Sequence, residues 1–408
     1  MTINNEHKKL NVPNLRFPEF SGEWEKQKLC DISSIVGRIG FRGYTTNDIV
    51  EKGMGAIALS PTNIVNNQLT YDKDNTYISM SKYEESPEIM IKRGDVIFVK
   101  TGSTVGKVAY VDKMICKTTL NPQVVVLKDI KCDNYILSVI MSTRNFQNKI
   151  QRITVGGAVP TLSQVAMGNI FISLPAAKEQ EKISKFISLL DERITTQNKI
   201  IEDLKKLKSA IIEKHYRQTE KNEVCVADLG NHFNVGNLAK DDLSETGKPC
   251  IIYGELFTTY GEIISQIESH TNKTEGMILS KKGDLLFPSS TTVDAVSLIA
   301  PSVINVDNVI LGGDMFGIHI SYNYNAQYLS YYFNHIAKKQ LAKFAKGSTI
   351  IHLHYTDIEK AKLLLPSLEE QNRMAMCLVA LDKKVSVEQN LLSSLTCQKS
   401  YLLQQMFI

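Results

Sequence analysis

The sequence has few of the features that would assign it quickly. Its 408 residues include one tryptophan, no Cys-x-x-Cys pair, and no apolar run near the roughly 18 residues that a bilayer span requires. The seven cysteines (Cys30, Cys116, Cys132, Cys225, Cys250, Cys377 and Cys397) are odd in number and scattered. That argues against a disulfide framework and for a reducing compartment. The opening MTINNEHKKLN has no apolar core of a signal peptide. A cytoplasmic location is expected. A formal net charge of +4 permits a polyanionic partner but does not demand one.

Catalytic signatures are missing too. There is no G-x-S-x-G elbow, no H-E-x-x-H and no dinucleotide-binding glycine fingerprint. The Asn/Asp-Pro-Pro-aromatic motif of amino-methyltransferases is absent, and Asn121-Pro122-Gln123 is the nearest approach. Gly102-Ser103-Thr104-Val105-Gly106-Lys107 falls short of a phosphate-cradling loop. Only three residues separate its glycines, and Val108 follows the lysine where Ser or Thr is needed. It reads instead as a turn between strands, with polar side chains directed outward. His352 and His354 would share one face of a strand as a metal pair, but their counterparts in an internal repeat are Thr161 and Ser163. No metal ligands and no catalytic residues are expected.

That repeat is the informative feature. Leu174-Pro175 answers to Leu365-Pro366, Glu179-Gln180 to Glu370-Gln371, and Leu190-Asp191 to Leu381-Asp382, each 191 residues later. Gly156 maps to Gly347 at the same offset. Farther upstream, Arg93-Gly94-Asp95-Val96-Ile97-Phe98 resembles Lys282-Gly283-Asp284-Leu285-Leu286-Phe287 at an offset of 189. A period of about half the chain is too long for a solenoid and implies two similar domains.

Each Leu-Pro opens a long segment without glycine or proline, Ala176 to Arg217 and Ser367 to the C-terminus. The first places Ile187, Leu190, Ile194, Gln197, Ile201, Leu204, Lys208 and Ile211 at alternating a and d positions of a heptad. Adding 191 gives Leu378, Leu381, Val385, Glu388, Leu392, Leu395, Lys399 and Leu402. The polar interruptions coincide, and the pattern predicts two helices packed along one seam. DVIFVKTG, KVAYVD, PQVVVLK, DLLFPS and NVILGG read as strands. NYILSVIMSTRNFQNKIQ and AQYLSYYFNHIAKKQLAKFA read as helices running into the glycine loops RITVGGAVPTLS and KGSTIIHLHYT. The expected fold is α/β: two similar domains separated by an antiparallel coiled coil of two long helices, with a pseudo-twofold internal repeat. The boundaries are an N-terminal extension at 1–20, domains at 21–175 and 218–366, and spacer helices at 176–217 and 367–408.

Duplicated domains, each closed by Leu-Pro, Glu-Gln and Leu-x-x-Leu-Asp ahead of a long helix, resemble type I restriction-modification specificity subunits. The opening LRFPEFSGEWEKQKLCDI, Leu15 to Ile32, strengthens the likeness, which extends over essentially the whole chain. The resemblance implies that each domain is a target recognition domain reading one half of a bipartite, asymmetric DNA sequence, with the helices setting the spacing. It implies docking of two modification subunits that bring S-adenosylmethionine and methylate adenine, and of restriction subunits that use ATP and Mg. No cofactor would belong to this chain.

Candidate DNA contacts in the first domain are Arg38, Arg42, Tyr44, Lys100, Ser103, Thr104, Lys107 and Arg152. In the second they are Tyr253, Ser289, Ser290, Thr291, Lys346, Ser348, His352 and His354. Cationic side chains suit phosphates or guanine, and small hydroxyls suit several bases. Where the first repeat has its glycine turn the second has Ser289-Ser290-Thr291-Thr292-Val293-Asp294, so the two domains are expected to present different surfaces. Two other readings fit the residues: a DNA-independent helical scaffold, and a fused methyltransferase or nuclease with unrecognised motifs.

Overall fold

Val96-Ile97-Phe98-Val99 and Val124-Val125-Val126-Leu127 are β-branched and aromatic runs without polar alternation. Such runs suit strands covered on both faces. In the computed structural model, which describes residues 10–71 and 74–408, both are buried strands. Part of the expected N-terminal extension, residues 1–9, lies outside the described residues. The chain divides into two compact units, Met1–Thr196 with Leu392–Ile408, and Gln197–Leu391.

The first unit carries a six-stranded sheet. In spatial order its strands are Ser34–Gly37, Val124–Lys128, Val96–Val99, Val108–Tyr110, Gln68–Leu69 and Ile64–Val65. A four-stranded sheet accompanies it, ordered Thr118–Leu120, Ala56–Leu59, Thr76–Ile78 and Ile49–Val50. The second unit has two five-stranded sheets, one of them ordered Gly230–Asn234, Met315–Ile320, Asp284–Pro288, Ser302–Ile304 and Ile263–Ile264. In each unit an antiparallel ribbon leads into a long helix. Glu25–Lys28 pairs with Phe171–Leu174, and Asn222–Cys225 pairs with Lys362–Leu365.

The shorter helices differ from the sequence expectation, because each expected helix is broken. Asn134–Ser142 stops at Thr143, whose hydroxyl caps a new helix, Arg144–Ile153, by accepting from the Phe146 N–H. The second expected helix divides into Ala326–His335 and Lys338–Leu341. A threonine hydroxyl competes well for helix N–H groups, which makes it a capping residue as readily as an interior one.

The long helices are Ala177–Gln218 and Leu368–Met406. In the first unit the start of the central helix packs beside the end of the C-terminal one. There Ile183 and Ile187 share a core with Met406 and Phe407. In the second unit the end of the central helix lies antiparallel to the start of the other, and Ile212 shares a core with Met374 and Leu378. The twelve apolar seam residues and the four polar ones are all buried or half-buried, whereas most of their helical neighbours are exposed.

The repeated motif residues have visible duties. Gln180 accepts from the Asp133 N–H at 2.8 Å and donates to the Pro175 carbonyl at 2.8 Å. Gln371 does the same for the Asn325 N–H at 3.0 Å and the Pro366 carbonyl at 2.9 Å. Each glutamine thereby ties a helix N-cap of its domain to the Leu-Pro turn. Glu179 takes Arg16, while Glu370 takes His215 and Arg373. Asp191 accepts from the Tyr135 hydroxyl at 2.6 Å and pairs with Lys399 at 2.5 Å. Asp382 accepts from Tyr331 at 2.5 Å and pairs with Lys208 at 2.9 Å. Burial first, and then the carboxylate, push both phenols above their ordinary value, so both remain O–H donors.

The second unit adds a further carboxylate. Glu262 accepts from Lys208 at 2.9 Å and approaches the His335 ring nitrogen at 2.9 Å. Burial alone would raise its pKa. The bond to His335 and the charge of Lys208 outweigh that and hold it near about 2.

Two outcomes are expected. Gln371→Ala leaves a buried carbonyl and an N-cap N–H without their partner, and should cost about 1–3 kcal/mol in denaturant unfolding. The folded pKa of Glu262 lies below its ordinary value of 4.5. Its contribution is therefore present above that pH and lost as the pH falls toward 2, to the extent of roughly 3 kcal/mol. Glu262→Gln should flatten the acid limb of stability against pH between 4.5 and 2. An unchanged limb would rule the network out as its source.

A candidate nucleic-acid interface in each repeat

In each unit the structure joins two segments that are well separated in sequence. In the first, the strand Val96–Val99 runs on through Lys100 to Gly102, then turns back at Ser103 to Lys107. Gly102 and Gly106 adopt positive φ of 105° and 101°. The dihedral angle favours glycine at Gly106, and a Cβ there would also displace the Gln147 side-chain amide, whose Oε1 would lie 2.3 Å away. The turn leads into the strand Val108–Tyr110 rather than a helix, which is the wrong geometry for a phosphate loop.

Against this turn lies the glycine hairpin. Gly102 donates to the Pro160 carbonyl at 2.9 Å, and Leu162 donates to the Lys100 carbonyl at 2.8 Å. The hairpin is closed by reciprocal bonds between Val155 and Thr161, at 3.0 and 2.8 Å. In the second unit the corresponding strands are Ser290–Thr291 and Ile351–His352, with Leu353 donating to the Ser289 carbonyl at 2.9 Å. That hairpin is closed between Lys346 and His352, at 2.9 and 2.7 Å. Lys346 and His352 stand 191 residues after Val155 and Thr161. Gly156 and Gly347 begin the two turns at φ of 100° and 115°. A Cβ on Gly347 would lie 2.0 Å from the Ile350 carbonyl oxygen. The frames match, while the tips read Gly156-Gly157-Ala158-Val159-Pro160 and Gly347-Ser348-Thr349-Ile350-Ile351.

The candidate residues divide by placement. Ser103, Arg152, Lys346, Ser348 and His354 are exposed, and Tyr253 is exposed at the margin. Lys100, Thr104, Lys107, Thr291 and His352 are half-buried around the joined segments. Lys107 Nζ donates to the Ile64 carbonyl at 3.3 Å, and Lys346 Nζ pairs with Asp357 at 2.5 Å. Three of the candidates are buried. Ser289 and Ser290 are buried; Ser290 is a strand residue paired with His352, and the Ser289 carbonyl accepts from the Leu353 N–H. Arg38 is 6% exposed, and its guanidinium donates to the Leu120 carbonyl, the Thr119 hydroxyl and the Arg42 carbonyl. It lies 5.5 Å from the Tyr44 ring centroid. An arginine reads as a surface cation in sequence, yet its five donors can also tie strands and turns together. Arg42 donates to the Glu85 carbonyl and lies 3.7 Å from Glu88.

The sequence reading passed over the apolar tips. Val155 and Val159 are 69% and 60% exposed, and Ile350 is 50% exposed. The signal for them was the shared glycine offset. His352 and His354 stack with centroids 6.1 Å apart, and Asp314 is 4.0 Å from His352. Among the described residues no group of three or more His, Cys, Asp and Glu is placed to hold a metal ion, and no helix is long and apolar enough to cross a membrane.

Comparison with known proteins extends over the same ground. The family model for the type I restriction modification DNA specificity domain matches twice, at residues 21–206 and 219–396. The chain is 24% identical over 327 residues to the type I restriction enzyme MjaVIII specificity subunit of Methanocaldococcus jannaschii, which is 74% of this chain and 75% of the relative. Its fold is similar to that of the type I restriction-modification S subunit from M. genitalium, with a TM-score of 0.61, 16% identity, and coverage of 97% and 99% of the two chains. It is also similar to a chain solved in work on complex assembly and conformational transition of the type I system, with a TM-score of 0.55, 16% identity, and coverage of 94% and 97%. With two family domains on one α/β frame, and motif residues fastening each domain to its long helix, the chain belongs to the type I restriction-modification specificity subunits, the non-catalytic DNA-recognising component of those complexes.

Proposed function

We infer that the two domains, 21–175 and 218–366, each read one half of an asymmetric, bipartite duplex target through the surface around the glycine hairpin. The observation that carries this is the hairpin itself: one closing register in both repeats, with different residues at the tip. A constant frame with an altered tip is what two half-sites of different sequence require. The contact set is then Arg42, Tyr44, Lys100, Ser103, Thr104, Lys107 and Arg152 in the first domain. In the second it is Tyr253, Thr291, Lys346, Ser348, His352 and His354. Arg38, Ser289 and Ser290 drop out because they are buried. The exposed Val155, Val159 and Ile350 join, since apolar tips can contact a thymine methyl or wedge between base steps.

The helices at 176–217 and 367–408 act in this reading as an antiparallel coiled coil that fixes the half-site spacing. Their outer faces dock two modification subunits, which bring S-adenosylmethionine and methylate a flipped adenine in each half-site. Restriction subunits add Mg- and ATP-dependent translocation and cleavage. The assembly works in the cytoplasm.

The test is a footprint with modification subunits present. Two short protected patches on one duplex are expected, and no protection at all would favour a scaffold that does not bind DNA. Purified alone, the chain should transfer no label from S-adenosylmethionine to DNA; incorporation would make it an enzyme in its own right. With three to five phosphate contacts, the affinity should fall by roughly 0.9 log unit per contact for each log unit of salt. Val159→Ser should alter only one half of the methylated motif, and Ile350→Ser only the other.

A further inference from the structure

Apolar heptad seams hold helices together without fixing how far one has slid along the other. A slip by one heptad replaces leucine with isoleucine at little loss, so register needs a polar contact that only one alignment satisfies. Among the described residues this seam shows three. Lys208 pairs with Asp382 and Lys399 pairs with Asp191. Adding 191 to Lys208 gives Lys399, and subtracting 191 from Asp382 gives Asp191, so these are one pair written twice. The third contact lies on the rung where a position meets its own counterpart. Gln197 and Glu388 are 191 residues apart and face each other, and both are nearly buried, at 5% and 8% exposure. Gln197 Nε2 donates to Glu388 Oε2 at 2.5 Å and to the Glu388 main-chain carbonyl at 3.1 Å.

The two repeats agree in being polar at this rung and differ in which polar group they use. An amide facing a carboxylate forms a directional bond. Two carboxylates there would repel each other. One heptad to either side stand Leu190, Leu204, Leu381 and Leu395, all apolar. Moving one helix by a heptad would therefore set an amide and a carboxylate against aliphatic side chains, while also parting both Lys–Asp pairs. Replacing a buried polar pair with apolar groups commonly raises stability while loosening alignment. A pair serving stability alone would be a poor choice for this position.

We propose that the Gln197–Glu388 pair, flanked by Lys208–Asp382 and Asp191–Lys399, is the register lock that restricts this chain to one spacing between its half-sites. These are positioning residues, acting through the helices and touching no DNA. The inference rests on the reading of the two domains as half-site readers. A heptad slip moves a helix by about 10.5 Å, or roughly three base pairs of duplex.

The experiment is methylome sequencing of a host that expresses the chain with its modification subunits, so the probe is that host's own genome. The unaltered chain should mark one split motif at a single spacing. Gln197→Leu with Glu388→Leu should keep both half-motifs, add sites whose spacing differs by about three base pairs, and unfold at a higher temperature. The same double variant marking only the original spacing would overturn the lock. Gln197→Glu, which opposes two carboxylates, should lose tenfold or more of the methylated sites. Gln197→Glu with Glu388→Gln restores a complementary pair and should recover the original single spacing. Failure of that exchanged pair to recover it, in a chain that unfolds at the unaltered temperature, also overturns the lock. A genome left unmarked by the unaltered complex would refute half-site reading itself, an outcome distinct from every result on the variants.

Discussion

The arrangement depends on two aspartates. Asp191 and Asp382 each accept a hydrogen bond from a tyrosine of their own domain and an ammonium from the other long helix. A carboxylate has two oxygens and can serve both at once. One oxygen orients the domain on its helix, and the other holds the partner helix in place. Remove the carboxylate, and a phenol (buried at Tyr331, half-buried at Tyr135) and a half-buried lysine lose their partner together, which costs more than either bond is worth alone. This gives Leu-Asp a physical reason to occur twice: it is the point where domain, helix and opposing helix are tied.

A similar economy runs through the other repeated residues. Gln180 and Gln371 each satisfy a helix N-cap with one end of the amide and a proline carbonyl with the other. The proline carbonyl stands at the mouth of the helix and needs a donor. The glutamine five residues on in sequence supplies one. Glu179 and Glu370 vary more. The first is taken up by Arg16 from the N-terminal segment, and the second by His215 and Arg373 from the helices themselves. The same acidic position is thus paired with whichever donors the local chain offers.

These facts explain what could be read in advance. Strand runs such as Val96–Val99 were legible because their burial on both faces leaves an uninterrupted apolar pattern. The long helices were legible because 42 residues without glycine or proline, carrying a heptad rhythm, fit few other structures. The break at Thr143 was not legible, since a threonine side chain can cap or sit within a helix and only packing decides. The burial of Arg38 was not legible for a related reason. Charge is visible in a sequence, whereas three backbone and hydroxyl acceptors converging on one guanidinium are not. The hairpin frames were half legible: the glycine offset was plain, but its strand partner lay about sixty residues upstream.

The hairpins and the seam obey one rule from opposite sides. In the hairpins the closing pairs keep their register while the tip residues change, because main-chain bonds set the frame and leave side chains free to vary. In the seam the side chains themselves set the alignment, so their polar positions are held at 191 residues while the aliphatic ones exchange leucine, isoleucine and valine. The proposed reading of two half-sites from a fixed geometry needs both kinds of constraint. Were the seam's polar rungs free to vary like the tips, a new recognition surface would also bring a new spacing. Keeping the two functions on separate atoms lets one change without disturbing the other.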